Sequence, residues 1–200
     1  MNDALKEAIT ARLKKELSRD GFEHTLRTAA TAVFLAETHG VDREEAELAA
    51  LCHDIAKEMS DSQLLAQARR YGLDIDPVEE RKPYLLHAAI GARIAAEDYG
   101  IDDQRVISAI IKHTFGDTKM DKLDKIVYLA DVIEPNRDFK GLEAIRGLAE
   151  VDIDSAFAAA YRGQMIFIIE KGGYLHPRTT NVWNQIADKA REIDERPDQQ

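Results

Sequence analysis

Cysteine is almost absent from this sequence of 200 residues, in which Cys52 is the only one. A single thiol cannot form an internal disulfide and is typical of proteins in a reducing compartment. The N-terminal segment has no apolar signal core, and no hydrophobic run approaches the length of a bilayer span. We therefore expect a cytoplasmic, soluble protein with no membrane association.

Basic residues are also in deficit, because 27 lysines and arginines face 37 aspartates and glutamates and give a formal net charge of -10. A general nucleic-acid or anionic-membrane surface needs a basic field, so we expect neither partner. A small anionic ligand is still compatible with this charge, since local cations or a metal can reverse the field inside a cleft. The hydrophobic content of 44% is typical of a globular protein, and the chain is long enough for one well-buried domain.

Apolar residues recur with helical spacing along nearly the whole chain, beginning with Leu5, Ile9, Leu13 and Leu17 in the first predicted helix. Asp42 and Ser60 start two further helices, and each is followed three residues later by a side chain that completes a capping box. The other helices are expected at about 22–38, 84–99, 102–113, 121–133, 152–169 and 179–193, with one or two turns at 141–148.

Two segments are less regular than the rest. The polar, proline-bounded stretch DIDPVEERKP (74–83) is predicted to be a loop. QMIFIIEK (164–171) has the β-branched content of a strand, but its continuation from an alanine-rich helix favours a helix. With no internal repeat and no interior linker, the sequence predicts one all-α bundle of about eight to ten helices over residues 1–200. Its core would be residues 18–193, and 194–200 would be a frayed tail.

Imidazole and carboxylate groups interrupt several of the apolar helices. LAALCHDIAKEMS (48–60) carries the adjacent pair His53 and Asp54, for which a satisfied core histidine beside an exposed aspartate is an equally good interpretation when the pair is taken alone. Similar polar groups in GFEHTL, PYLLHAAIGARI, RVISAIIKHT and KIVYLADVIEP are His24, His87, His113 and Asp131. Because burying such groups singly is costly, the six together predict convergence on a metal, and this donor set suits zinc, iron or manganese.

The order of these residues resembles the HD superfamily of metal-dependent phosphohydrolases, in which a histidine, a His-Asp pair and a distant aspartate lie on helices. Here the corresponding positions are His24, His53-Asp54 and Asp131. A narrower resemblance, over about residues 18–185, is to the YqeK family. It is carried by HTFGDTKMDKLDKIVYLADVIEPNRDF (113–139), together with GFEHTL, LCHDIAKEM and YLHPRTTNVWN. One departure is Gly21, where many relatives have arginine, and the candidate replacements are Arg19 and Arg27.

This resemblance implies an HD-type helical domain with symmetrical bis(5'-nucleosyl)-tetraphosphatase activity, which splits diadenosine tetraphosphate, a dinucleoside polyphosphate, into two ADP. The preferred metal would be iron, as one or two ions, with manganese or cobalt as substitutes. One ion would be held by His24, His53, Asp54 and Asp131. A second ion, or a phosphate group, would be held by His87 and His113.

Further residues are expected to contact the substrate. Lys57, one turn after His53 in the expected helix, would neutralise phosphate oxygens in the transition state, which makes Asp54 and Lys57 the catalytic candidates. A solvated lysine beyond the apolar stripe is the alternative interpretation of Lys57. The full set of substrate-binding candidates is Gly21, His24, Asp54, Lys57, His87, His113, Thr114, Arg137, Lys171 and Tyr174.

Three other functions fit the same residues. An HD phosphohydrolase could act on another nucleotide, such as a nucleoside mono- or triphosphate. A nucleotide-sensing module could bind through the metal site without turnover, although the presence of every expected ligand disfavours it. A helical interaction protein could carry a purely structural metal, which would have a closed shell of protein ligands. The oligomeric state is left open, with a homodimer as one possibility.

Overall fold

The computed structural model describes residues 3–194 and contains no strand within that range. Its elements are α1 (Asp3–Glu16), α2 (Arg19–His39), α3 (Arg43–Cys52), α4 (Asp61–Arg70), α5 (Pro77–Arg81), a 3₁₀-helix (Pro83–Leu86), α6 (His87–Tyr99), α7 (Gln104–Lys112), α8 (Lys122–Ile133), α9 (Leu142–Val151), α10 (Ile153–Glu170) and α11 (Pro177–Asp194). The predicted all-α bundle is confirmed, and QMIFIIEK lies almost entirely within α10. Of the predicted tail, residues 195–200 lie outside the described residues.

Side-chain caps define where several helices begin. Asp42 accepts hydrogen bonds from two amides in the first turn of α3, but the predicted capping box there is wrong, because the Glu45 side chain pairs with Arg105. Ser60 and Gln63 form the predicted reciprocal capping box before α4. No helix among residues 3–194 has both the length and the apolar character to cross a bilayer. The local sequence thus fixes these starts, while packing decides the orientation of each helix.

The predicted loop at 74–83 is wrong in one respect, because it contains the short helix α5. Asp76 accepts a hydrogen bond from the Val78 amide, and the Glu79 side chain accepts one from the Asp76 amide, which completes a capping box. Pro77 occupies the first turn, where its missing amide proton costs nothing. A polar, proline-bounded sequence therefore still carries a helix start.

The core is built around α2, α3 and α8, which pack against one another. Its buried side chains from these helices include Ala29, Ala32, Leu35, Ala36, Ala46, Ala49, Ala50, Leu51, Leu123, Ile126, Val127, Leu129 and Ala130. Because so many of these residues are alanine, the helices can approach closely. Helix α7 packs on both α3 and α8, and α6 packs on α7. This packing brings one end of each of these five helices to the same side of the core.

Helix α3 ends at Cys52, so the expectation that a continuous helix carries His53, Asp54 and Lys57 is wrong. Residues 53–58 form consecutive turns, and the Lys57 amide donates to the Asp54 carbonyl at 2.9 Å, a three-residue spacing. The side chain of Lys57 is therefore placed by a turn and not by the face of a helix. Tight turns of this kind aim adjacent side chains in directions that an α-helix does not allow.

Helix α6 lies directly against this turn at Gly91. A Cβ atom at Gly91 would stand 3.2 Å from Ile55 Cγ2 and 3.6 Å from the carbonyl oxygens of Cys52 and His53. A methyl group at this position would therefore press on the Ile55 side chain, while both backbone oxygens would lie at ordinary van der Waals distance.

We predict that Gly91→Ala lowers the free energy of unfolding by about 1–3 kcal/mol, because the added methyl group overpacks the contact between α6 and the turn. The matched control is Gly163→Ala in α10, where a Cβ meets nothing within 4 Å. That variant should be stabilised by roughly 0.5–1 kcal/mol, since alanine favours a helix interior. Urea denaturation measures both, and equal effects in the two variants would contradict the close approach.

Candidate metal centre

The six side chains that the sequence predicts to converge lie at one end of the bundle. They are His24 in α2, His53 and Asp54 after α3, His87 at the start of α6, His113 after α7 and Asp131 in α8. Four of the six are buried, and His24 and Asp131 are half-buried at the margin of the cluster. The structure brings all six together.

The carboxylate of Asp54 is the centre of the cluster. Its Oδ1 atom lies 3.1 Å from Nε2 of His87 and 3.5 Å from Nε2 of His113. Its Oδ2 atom lies 3.3 Å from Nε2 of His53 and 3.8 Å from Nε2 of His24. Every histidine of the set therefore points the same ring nitrogen towards one carboxylate.

Asp131 forms the second negative group of the cluster. Its Oδ1 atom lies 3.0 Å from Nε2 of His24. Ligand atoms of His24, His53 and Asp131 lie within 4.8 Å of one another, and so do those of His53, Asp54 and His113. These two overlapping groups share His53, which is the geometry expected if one or two cations bind here.

The opposite ring nitrogens of three histidines are fixed by the backbone. Nδ1 of His53, His87 and His113 lies within hydrogen-bond distance of a carbonyl oxygen three residues earlier in the chain. The carbonyls are those of Ala50, Tyr84 and Ile110, at 2.6, 2.5 and 2.8 Å. Since a carbonyl only accepts, Nδ1 must carry the proton, and Nε2 of each neutral ring is left with a bare lone pair.

These bare nitrogens cannot satisfy the carboxylate that they face. His87 and His113 also bring their Nε2 atoms within 3.0 Å of each other. Within the part of the chain that the structure describes, His53 Nε2 and Asp54 Oδ1 are buried without a hydrogen-bond partner. The short distance between Asp54 and His87 is thus not a hydrogen bond between neutral groups. Either a proton or a cation must relieve this crowding, and the donor set fits a divalent transition metal.

The pKa shifts reflect the same crowding. Burial lowers the pKa of His113 to about 4, so this ring is neutral at physiological pH. Burial opposes ionisation of Asp54, but without a metal the charge of a protonated His53, and donation from whichever of His113, His53 or His87 gains an Nε2 proton, hold the pKa of Asp54 well below its usual value. Burial also opposes ionisation of Asp131, but without a metal a His24 ring that also carries a proton on Nε2 donates to Asp131 and lowers its pKa. Neutral imidazole and ionised carboxylate are the forms that bind metal.

Three predicted substrate-binding residues lie at the edge of the cluster. Lys57 Nζ is 3.3 Å from Asp54 Oδ1, and its side chain is 44% exposed. Thr114 Oγ1 lies 3.3 Å from Nε2 of His87 and 3.2 Å from Nε2 of His113. Arg137 Nη2 donates to Asp131 Oδ1 at 2.6 Å. All three present polar hydrogens beside the candidate ligands.

Two other predicted residues, Lys171 and Tyr174, lie in the segment after α10. Lys171 Nζ is 5.8 Å from the ring centre of Phe167, and the Arg81 guanidinium is 5.8 Å from that of Tyr174. Among residues 3–194, neither side chain has a hydrogen bond or ion pair with the six-residue cluster. The structure therefore does not bring them into direct contact with it, and their roles stay predictions.

Gly21, and the two arginines proposed to replace the arginine of relatives, contact glutamates outside the six-residue cluster. A Cβ at Gly21 would lie 2.8 Å from Glu58 Oε1, so the position is tight. Arg19 donates to Glu23 at 2.9 Å, and Arg27 donates to Glu134 at 2.6 Å.

Glu134 is a functional candidate that sequence reasoning missed. This buried carboxylate lies 3.2 Å from Nδ1 of His24 through its Oε1 atom. In the sequence, the position before Pro135 indicates only that a helix ends there. An acid at the C-terminus of a helix is unfavourable to the helix dipole, and this unfavourable placement was the one signal that Glu134 has another role.

Comparison with known proteins agrees with this geometry. A family model described as HD domain matches residues 21–136. A Halalkalibacterium halodurans protein named "Bis(5'-nucleosyl)-tetraphosphatase, symmetrical" is 36% identical over 87% of this chain and 92% of its own length. A Bacillus subtilis protein of the same name is 34% identical over 90% of this chain and 97% of its own.

A solved structure also matches, and its description places it in the HD superfamily. The Clostridium acetobutylicum protein, described as a predicted HD superfamily hydrolase involved in NAD metabolism, superposes with a TM-score of 0.88 at 35% identity. The match covers 92% of this chain and 97% of that one. The chain therefore belongs to the HD-domain family of divalent-metal-dependent hydrolases and, within it, to the YqeK group.

Proposed function

We propose that this chain hydrolyses diadenosine tetraphosphate symmetrically, releasing two molecules of ADP. The observation that carries the proposal is the Asp54 carboxylate facing three proton-free histidine nitrogens, because that donor set matches a divalent cation and not ordinary core packing. The substrate is supported by the names of the Halalkalibacterium and Bacillus relatives, which are both symmetrical bis(5'-nucleosyl)-tetraphosphatases.

The proposed metal is iron, with manganese or cobalt as substitutes. One ion would be held by His24, His53, Asp54 and Asp131. His87 and His113, together with Asp54, would hold a second ion, or His87 and His113 would contact phosphate. When bound, such ions polarise phosphoryl oxygens and lower the pKa of a coordinated water.

The remaining side chains would bind and orient the polyphosphate. Water adds to an inner phosphorus, and the oxygen that bridges the two central phosphates leaves on the second ADP. Lys57 and Arg137 would carry positive charge to the polyphosphate, and Lys57 would donate hydrogen bonds to phosphate oxygens as negative charge accumulates. Thr114 can donate its hydroxyl proton to a neighbouring phosphate. We propose that Gly21, Lys171 and Tyr174 contact the nucleotide portions, with the half-exposed Tyr174 ring available for stacking on a base.

Product analysis tests the reaction. Protein loaded anaerobically with Fe²⁺, or with Mn²⁺ or Co²⁺, should convert diadenosine tetraphosphate to ADP alone, as resolved by anion-exchange chromatography. Asp54→Ala should bind no metal and release no product while keeping a helical circular dichroism spectrum. Asp54 belongs to one ligand group, and its Oδ2 atom lies 3.3 Å from His53 and 3.8 Å from His24 of the other.

The same assay separates the rival functions. ATP and AMP as products would contradict symmetrical cleavage. Faster hydrolysis of nucleoside mono- or triphosphates would identify another phosphohydrolase, and tight binding without product over long incubation would identify a sensor. Normal turnover by Asp54→Ala would contradict the proposed centre.

We predict that Lys57→Ala lowers turnover on the order of a hundredfold while metal content stays the same, because the change removes a donor to developing negative charge and not a ligand. Lys14→Ala, at an exposed position on α1, is the matched control and should be unaffected. Steady-state kinetics and elemental analysis measure both quantities. A Lys57→Ala rate within twofold of wild type would return this residue to the solvated-surface interpretation.

His87→Ala distinguishes the two proposed roles of His87. If His87 holds a second ion, metal content should fall from about two per chain towards one and turnover should drop sharply. If His87 contacts phosphate, metal content should stay constant while KM rises. No change in metal content, turnover or KM would show that His87 is only a packed core residue.

A further inference from the structure

Glu134 is a buried carboxylate immediately after α8, and it contacts the proposed ligand His24 from behind. Its side chain is 3% exposed, and Oε1 lies 3.2 Å from Nδ1 of His24. Its other oxygen, Oε2, accepts hydrogen bonds from Arg27 Nε at 2.6 Å and from the Asn136 amide at 2.8 Å. Both carboxylate oxygens are therefore engaged, one by the imidazole and one by two fixed donors.

His24 differs from the other three histidines in how its ring is held. The side chains of His53, His87 and His113 are 0%, 2% and 1% exposed and bond to carbonyls of their own segments. The side chain of His24 is 15% exposed, and its Nδ1 partner belongs to a residue 110 positions away. Packing and the local backbone therefore constrain this ring less than the others.

The backbone at Glu134 is itself held by side-chain hydrogen bonds. Arg146, from α9, donates to the carbonyl oxygen of Ile133 at 3.1 Å and to that of Glu134 at 2.9 Å. These carbonyls end α8 and lack helical partners, so a cation at this place satisfies them. The result is a continuous set of contacts from α9 through Glu134 to His24.

We propose that Glu134, held by Arg27, is a positioning residue that fixes the tautomer and orientation of His24. By accepting the Nδ1 proton, the carboxylate leaves the Nε2 lone pair directed at Asp54 and Asp131 and makes the ring a stronger ligand. This inference rests on the proposed metal site. It assigns to Glu134 a role through His24, with no contact to substrate.

The test is the affinity of the purified protein for Mn²⁺ alone, measured by calorimetric titration. Glu134→Gln keeps the size of the side chain but removes its charge, and it should weaken Mn²⁺ binding about 10–100-fold. Because the defect is in metal binding, kcat at saturating Mn²⁺ should largely recover, and KM for the nucleotide should stay near the wild-type value. The visible spectrum of the Co²⁺-loaded protein should also change, since it reports the geometry of the ligands.

Arg27 supplies a second variant that acts from outside the cluster. Arg27→Ala should weaken Mn²⁺ binding in the same direction by a smaller factor, and Arg27→Lys should restore most of the loss by replacing the charge. This pair keeps the proposal testable if Glu134→Gln fails to fold. An Arg27→Ala protein with wild-type affinity for Mn²⁺ and an unchanged Co²⁺ spectrum would overturn the proposed role of the Arg27–Glu134 pair.

Asp124 provides the matched control for loss of a buried carboxylate near the same helix. It is 1% exposed in α8 and accepts hydrogen bonds from Lys112 at 2.7 Å and Ser108 at 2.8 Å. Asp124→Asn should lower the melting temperature but leave Mn²⁺ affinity within twofold of wild type. An equal loss of Mn²⁺ affinity in Asp124→Asn and Glu134→Gln would mean that general loosening of α8 explains both, which would overturn the proposal.

His53→Ala separates failure of this inference from failure of the proposed function. If His53→Ala and wild type bind Mn²⁺ equally, the proposed metal site itself is wrong. If His53→Ala loses the ion while Glu134→Gln keeps its affinity within twofold, the metal site stands and the role of Glu134 is refuted.

Discussion

The burial of the Asp54 carboxylate among proton-free histidine nitrogens is the constraint on which this structure depends. An ionised carboxylate is costly to remove from water unless a cation or hydrogen-bond donors compensate it. Neutral rings whose Nδ1 atoms already donate to carbonyls offer lone pairs and not protons to Asp54. The arrangement is favourable when a cation lies between the groups. Lys57, 3.3 Å from Asp54 Oδ1, balances the charge of the carboxylate, but the lone pairs of the rings are left without an acceptor of electrons, which a metal ion would supply.

Helix ends make that assembly feasible. His53 and His113 each follow the last residue of a helix, where carbonyl groups of the final turn lack helical partners. Two of those carbonyls, of Ala50 and Ile110, accept the Nδ1 protons of these rings. The same hydrogen bond therefore satisfies a helix terminus and orients a ligand. A histidine in mid-helix would find the carbonyls already occupied, which gives a physical reason for placing ligands where helices end.

Much of the fold and of the candidate site was predictable because both follow local patterns. Helical spacing gave the bundle, and the ordered His24, His53-Asp54 and Asp131 gave the cluster. The turn after Cys52 was not predictable, since neither glycine nor proline interrupts the helix-compatible segment there. The packing of Gly91 against Ile55 is a tertiary contact, and the local hydrogen bond between His53 and the Ala50 carbonyl needs the helix to end first. Glu134 was missed for a similar reason, because its partners His24 and Arg27 lie more than a hundred residues earlier.

The balance of charge in the site explains how an acidic chain can accept a polyphosphate. Three carboxylates, of Asp54, Asp131 and Glu134, are each paired with one cation, namely Lys57, Arg137 and Arg27. With neutral imidazoles these six groups sum to zero, so a divalent ion makes the region positive. Within low-dielectric walls that local charge outweighs the formal net charge of -10, which is spread over the whole molecule and screened by salt. The metal would therefore govern attraction of the substrate as well as its hydrolysis.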